Sequence, residues 1–238
     1  MNLFDQIISP MTVNTFTADY LFKKPCSGQG SAAMLRGKFS WQVACEILDN
    51  NYDNCWLARK GHLHADIQRG TVSVKQFCEE QIQGYSLVIR KAEKAHTNFA
   101  EIAGEFSDSF DRPIDVQLYA TPAAHEGFGW HFDYEEVFII QSVGVKEFTI
   151  RRNSSWPEIQ GKTQQDLWCE ERFIHEFQCT LKAGDWLYIP AGWWHKATAL
   201  TPSYHISVGV LFNDIRAVPH QPTMKEDPIS VLLPVVAG

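Results

Sequence analysis

The sequence predicts a mainly β chain: a double-sheet jelly roll flanked by helices on its N-terminal side. Three observations lead there. Between Ile114 and Phe212 the chain falls into seven short apolar runs broken by Gly, Pro, Asn and Asp, which is a strand pattern. No segment of helical length and spacing interrupts those runs, and many short strands without intervening helices favour two antiparallel sheets packed face to face. Helical spacing is confined to the part of the chain before Ile114.

In that first part, the segment Ser40-Trp41-Gln42-Val43-Ala44-Cys45-Glu46-Ile47-Leu48 sets apolar groups at helical spacing behind a serine able to cap the helix. Residues 74–82 and 93–106 repeat the pattern, and these helices are expected to pack outside the sheet that follows. The strands are then expected at 114–120, 130–133, 137–141, 147–151, 178–181, 186–189 and 205–212. Gly184-Asp185 is a turn leading into Trp186-Leu187-Tyr188-Ile189, a run that Pro190 ends. No repeat, low-complexity tract or charge block marks a linker. The expectation is one domain over 1–238, with a mixed helical part (1–112), a jelly-roll core (113–216) and an extended tail (217–238).

Composition narrows the function classes. A chain of 238 residues buries enough surface to form a core without disulfides. The six cysteines are scattered, with no CxxC pair, and read as reduced thiols of a cytoplasmic protein. No basic region precedes an apolar run at the N-terminus, and no apolar stretch reaches the length of a membrane span. A formal net charge of −7 argues against broad affinity for nucleic acid. A peptide, protein or small-molecule substrate is the remaining expectation.

The chemistry concentrates around His131-Phe132-Asp133. On a strand, positions i and i+2 leave the same face, so an imidazole and a carboxylate would enter one cavity. His195, expected just after the strand 186–189, supplies a third ligand. Two histidines and one carboxylate on one face of an octahedron leave open positions, the arrangement of non-haem iron(II) oxygenases, which accepts a bidentate 2-oxo acid and then dioxygen. An HxD triplet alone arises by chance in about every second chain of this kind. The sequence carries its own decoy, His62-Leu63-His64-Ala65-Asp66, flanked by Arg59, Lys60 and Arg69 and without the alternation of a buried strand. It reads as a solvated turn.

Lys146 separates the two. A turn near Ser142-Val143-Gly144 is expected to bring the chain back antiparallel beside strand 137–141, with Lys146 on the inward face. A buried, unpaired ammonium is costly, so the position calls for an anion, and the distal carboxylate of 2-oxoglutarate would supply it. The competing reading is a lysine that reaches solvent and pairs with Glu147 or another acid. Trp130, Tyr134 and Trp194 are expected either to shape a substrate entrance or simply to pack.

These residues also carry a resemblance. The segments Gln117-Leu118-Tyr119-Ala120-Thr121-Pro122, Gly127-Phe128-Gly129-Trp130-His131-Phe132-Asp133-Tyr134, Val137-Phe138-Ile139-Ile140-Gln141 and Gly144-Val145-Lys146 resemble the JmjC-type ribosomal oxygenases. The segment from Ala183 to Pro190 and on through Trp193-Trp194-His195 is similar to them and to the asparaginyl hydroxylase that acts on hypoxia-inducible factor. Tyr20-Leu21-Phe22-Lys23-Lys24-Pro25 looks like the opening segment of the same group, so the resemblance covers most of 17–212. It implies a distorted double-stranded β-helix of the cupin/JmjC type, with iron at His131, Asp133 and His195. It also implies 2-oxoglutarate held by Lys146, with Tyr119 hydrogen-bonded to the same carboxylate and Ser207 lining the pocket. Dioxygen would complete the reactant set, the co-substrate leaving as succinate and a substrate C–H becoming hydroxylated.

Those oxygenases continue into helical dimerisation and winged-helix regions, whereas fewer than thirty residues follow Phe212 here. The favoured substrate class is an amino-acid side chain in a peptide or protein. A free amino acid, a peptide natural product or an RNA base stays open, because this fold hosts all of them. So does a non-catalytic cupin that binds a metal or ligand.

Overall fold

A computed structural model describes residues 2–60, 66–154, 162, 164, 167–168 and 176–212. The chain opens with helices α1 (Leu3–Ile8) and α2 (Val13–Asp19), and continues through strand β1 (Cys26–Gly28), helix α3 (Trp41–Asp49), strands β2 (Cys55–Arg59) and β3 (Asp66–Gly70), helix α4 (Val74–Ile82), strand β4 (Ser86–Ile89) and helix α5 (Thr97–Phe110). Seven strands follow: β5 (Ile114–Thr121), β6 (Glu136–Val143), β7 (Val145–Arg151), β8 (Glu176–Lys182), β9 (Trp186–Ile189), β10 (Trp194–Ala199) and β11 (Ser203–Val210). One sheet has the order β1-β9-β6-β11-β5-β4-β2-β3, and the other β10-β7-β8. Every pairing is antiparallel, as a jelly roll requires.

The large sheet separates two interiors. On β6, Phe138 and Ile140 point outward into the helical layer, and Val137 and Ile139 point toward the small sheet. Burial on both faces explains why this strand reads as an unbroken apolar run rather than an alternating one. In the helical layer, Phe4, Phe16, Phe106 and Tyr188 surround the Phe138 ring at centroid distances of 5.0–5.6 Å. Strands β5 and β11 divide differently. Val116, Leu118, Ala120, Ile206 and Val208 face the helices, which leaves Gln117, Tyr119, Thr121, His205 and Ser207 on the inward face. The polar half of the alternation thus lines the space between the sheets.

Several expectations need correction. The N-terminal part supplies four strands of the large sheet as well as helices. Helix α4 starts where expected, with Ser73 Oγ accepting from the Gln76 amide at 3.1 Å. Ser40 precedes α3 but makes no side-chain capping bond. The helix expected at 93–106 divides into a 3₁₀ turn (Ala92–Lys94) and α5, because His96 is extended and its Nδ1 caps the new start through the Asn98 amide. Residues 130–133 are not a strand, and only His131 forms a bridge, to His195. His195 follows β9, as expected, but itself lies within a further strand, β10, which continues past it to Ala199. Strand β7 does not return beside β6. It enters the opposite sheet after Gly144, whose φ of +75° and close approach to the Pro202 carbonyl leave no room for a Cβ. The expected tail (217–238) and the histidines of the decoy lie outside the described residues. No helix among the described residues is long and apolar enough to cross a membrane.

Candidate metal centre

His131, Asp133 and His195 come together, with one ligand atom from each lying within 4.8 Å of the others. The backbone sets this up. His131 and His195 exchange N–H···O bonds of 3.0 and 2.7 Å, locking the approach segment onto the edge of β10. The Asp133 carbonyl accepts from the Gly192 amide at 2.7 Å, tying it to the turn that precedes His195. Segment 131–133 is therefore extended without belonging to a strand, and the i, i+2 relation still directs both side chains the same way.

The imidazoles are oriented for ligation. His131 Nδ1 lies 2.9 Å from the Gly129 carbonyl, and His195 Nδ1 lies 3.0 Å from the Trp193 carbonyl. A carbonyl only accepts, so each Nδ1 donates and each Nε2 is the ring nitrogen left to face the cluster. Burial, and then the neighbouring His131, push His195 down to about 4, so it is neutral at physiological pH. His195 Nε2 is 3.5 Å from Asp133 Oδ2. Two imidazole nitrogens and one carboxyl group fit a first-row divalent metal that keeps open positions.

The far end of the same cavity is built by regular strands. Lys146 reaches from β7 across to the large sheet, where Nζ donates to Thr121 Oγ1 at 3.1 Å and lies 3.4 Å from His205 Nδ1. It is 3% exposed, so the solvent-reaching alternative is excluded, and burial alone pushes it down to about 7. Thr121 is uncharged and burial, then Lys146 itself, holds His205 well below the usual imidazole range, and no ion pair to Lys146 forms among the described residues. An incoming carboxylate would supply the missing counter-charge. Tyr119 stacks on His205 at 4.7 Å and 5°, and its hydroxyl donates to Gln117 Oε1 at 2.9 Å. Ser207 is buried opposite Gln117 and Ile139 and faces the same cavity.

His205 is the main site residue that the sequence motifs do not single out, although its place two residues before Ser207 puts it on the same face. Gln164 is another. Its side-chain amide bonds both backbone groups of Phe132, at 3.3 and 2.9 Å. Of the aromatics, Trp194 is fully buried, with its ring edge-on to Phe132 at 4.8 Å, so it packs rather than forming an entrance. Trp130 is half-buried, stacked on Trp168 at 4.9 Å, and carries Arg151 and Lys196 over its ring.

The fold is a JmjC-type jelly roll, and its two histidines and one carboxylate form a candidate metal centre. Residues 91–218 match the JmjC domain, and the chain belongs to that family. It is 29% identical over 135 residues to the bifunctional lysine-specific demethylase and histidyl-hydroxylase NO66 of Dictyostelium discoideum, which covers 56% of this chain and 26% of that protein. It is 26% identical over 226 residues to ribosomal oxygenase 2 of Bos taurus, covering 87% and 47%. Among solved structures, the ribosomal oxygenase YcfD of Escherichia coli in complex with cobalt and succinic acid superposes with a TM-score of 0.67 at 19% identity, over 85% of this chain and 52% of that one. The chain spans at most about half the length of these relatives.

Proposed function

We propose that this protein is an iron(II)- and 2-oxoglutarate-dependent oxygenase that hydroxylates an amino-acid side chain in a peptide or protein. The observation that carries the reading is the pairing of two features in one cavity. A three-ligand cluster to which both imidazoles turn their Nε2 atoms stands at one end, and a buried lysine with no carboxylate partner among the described residues stands at the other. A short dicarboxylate that chelates at one end and ion-pairs at the other suits that arrangement. A YcfD structure with cobalt and 2-oxoglutarate, and relatives named as hydroxylases and ribosomal oxygenases, support the choice.

In this reading His131, Asp133 and His195 hold iron(II), which with dioxygen and 2-oxoglutarate supplies the oxidising chemistry when bound. The protein's own residues bind and orient. Lys146 takes the distal carboxylate with Thr121 and Tyr119 beside it, His205 keeps the lysine directed inward, and Ser207 lines the wall. Phe128, Ile139 and Phe148 keep the middle of the cavity apolar, which limits water at the reacting end. Glu126 and Gly127 line the same cavity beside the triad.

Release of succinate by the wild type and by His131→Ala, with iron(II), 2-oxoglutarate and candidate peptides, tests the proposal. Turnover should appear in the wild type and fall at least about 100-fold in the variant. Tight metal binding without any turnover, coupled or uncoupled, would instead support a binding module. Mass gains of one oxygen in peptides, compared between cells with and without the gene, would locate the substrate. If such gains appear only in free metabolites, the protein-substrate assignment fails.

A further inference from the structure

We infer that Gln164 is a positioning residue for the metal centre, because its side chain does for the His131-Phe132-Asp133 segment what a neighbouring strand would otherwise do. The inference rests on the metal-site reading above. For His131 and Asp133 to present their side chains to one point, the peptide groups between them must stay extended. A strand interior achieves this by pairing N–H and C=O with a neighbour. Here the bridge to β10 pairs the backbone of His131, and Phe132, next along, turns its N–H and C=O away from that bridge.

Gln164 meets both of those groups. Its Oε1 accepts the Phe132 N–H at 3.3 Å and its Nε2 donates to the Phe132 carbonyl at 2.9 Å. One primary amide thereby reproduces the two-bond ring of an antiparallel residue pair. Gln164 is 3% exposed and Phe132 is 1% exposed, so water is poorly placed to substitute. Loss of the amide would take a hydrogen-bond partner from each of two backbone groups of a buried residue. Leu167 and Trp168 reinforce the hold. Leu167 packs with Phe132 and Trp194, and Trp168 lies 4.9 Å from the Trp130 ring and 5.1 Å from the Trp194 ring. The residues contacted here, 130, 132 and 194, all flank the ligands without being ligands. A side chain distant in sequence from both motifs thus fixes the spacing of the two ligands from the first.

Cobalt(II) titration of the ligand-free protein, followed by its visible d–d absorption, reads the centre without turnover, with the melting temperature of the metal-free protein measured in parallel. Gln164→Met has similar volume and no amide. It should weaken cobalt affinity about 10- to 100-fold, the range for groups that orient metal ligands, and should alter the d–d spectrum. Gln164→Glu keeps the acceptor for the Phe132 N–H but sets a carboxylate against the Phe132 carbonyl, and it should also bind more weakly with a changed spectrum. It is the variant to read if Gln164→Met does not fold. Unchanged affinity and spectrum in a folded variant, even with a lowered melting temperature, would make Gln164 merely structural and overturn the inference. Failure of the wild type to bind cobalt, or binding that survives in Asp133→Ala, would sink the metal-site reading itself.

Discussion

The two ends of the cavity are made by different means. At the lysine end every participant sits on a regular strand: Tyr119 and Thr121 on β5, Lys146 on β7, His205 and Ser207 on β11. Register alone places His205 opposite Tyr119 and Ser207 opposite Gln117. At the metal end His131 and Asp133 belong to no strand and are held by a few bonds to β10, to Gly192 and to Gln164. A ladder distributes the positioning of one side chain over many hydrogen bonds, whereas a bridged segment concentrates it in a few. Substitutions at the lysine end should therefore change binding energies while leaving the framework intact. At the metal end, changes outside the ligand set should alter geometry.

The largest effect expected at the strand-built end comes from Lys146→Met. The variant keeps most of the volume of the side chain and removes the charge. The 2-oxoglutarate concentration needed for half-maximal succinate release should rise about 10- to 100-fold, the value of a charge-assisted contact in a buried site. The ligand-free variant should nevertheless be more stable than the wild type, by about 1–3 kcal/mol, because a buried ammonium without an anionic partner is removed. Calorimetry and initial rates check both halves. A variant with an unchanged 2-oxoglutarate requirement would contradict the anion-site assignment, and one that melts lower would mean Lys146 is already compensated in the free protein.

A pH series sharpens the same point. Burial lowers Lys146 to about 7 from its ordinary 10.5, so between those values the unfolded chain holds a proton that the folded chain has released. Stability should then rise with pH across that window, and Lys146→Met should remove the rise. Ligand binding runs the opposite way, since a carboxylate selects the protonated lysine. The dissociation constant for 2-oxoglutarate should therefore increase as pH climbs above 7, by up to about tenfold per unit at first. Titration calorimetry with manganese in place of iron checks this, and a flat profile in the wild type would place the charge elsewhere.

The contrast between the ends also explains which features are legible in the sequence and which are not. The alternation in 114–120 and 205–212 is strong because one face of each strand meets the aromatic layer of Phe4, Phe16 and Phe106. The motif His131-Phe132-Asp133 points to the right residues for a partly wrong reason, since the extended segment copies the geometry of a strand without being one. Strand β10 leaves no local signal because Trp194-His195-Lys196-Ala197-Thr198-Ala199 mixes ligand, charge and small residues, and its pairing with β7 is a tertiary matter. Strands β1 to β4 are equally hidden, being short and set among helices. The link from Lys146 to His205 spans 59 residues and two sheets, so no local pattern could announce it.

Tyr119→Phe gives the smallest effect of the series. The ring that stacks on His205 is retained, and only the hydroxyl bonded to Gln117 Oε1 is lost. If the hydroxyl turns from Gln117 to the bound carboxylate, a bond to a neutral acceptor is exchanged for one to a charged acceptor, and the net value is about 0.5–1.5 kcal/mol. The 2-oxoglutarate requirement should rise about 2- to 10-fold with little change in maximal rate, well short of Lys146→Met. Equal effects from the two variants would mean that the stacked Tyr119–His205 wall, rather than the lysine charge, recognises the co-substrate. The strand-built end would then work by shape, and the division between its energetic role and the geometric role of the metal end would fall.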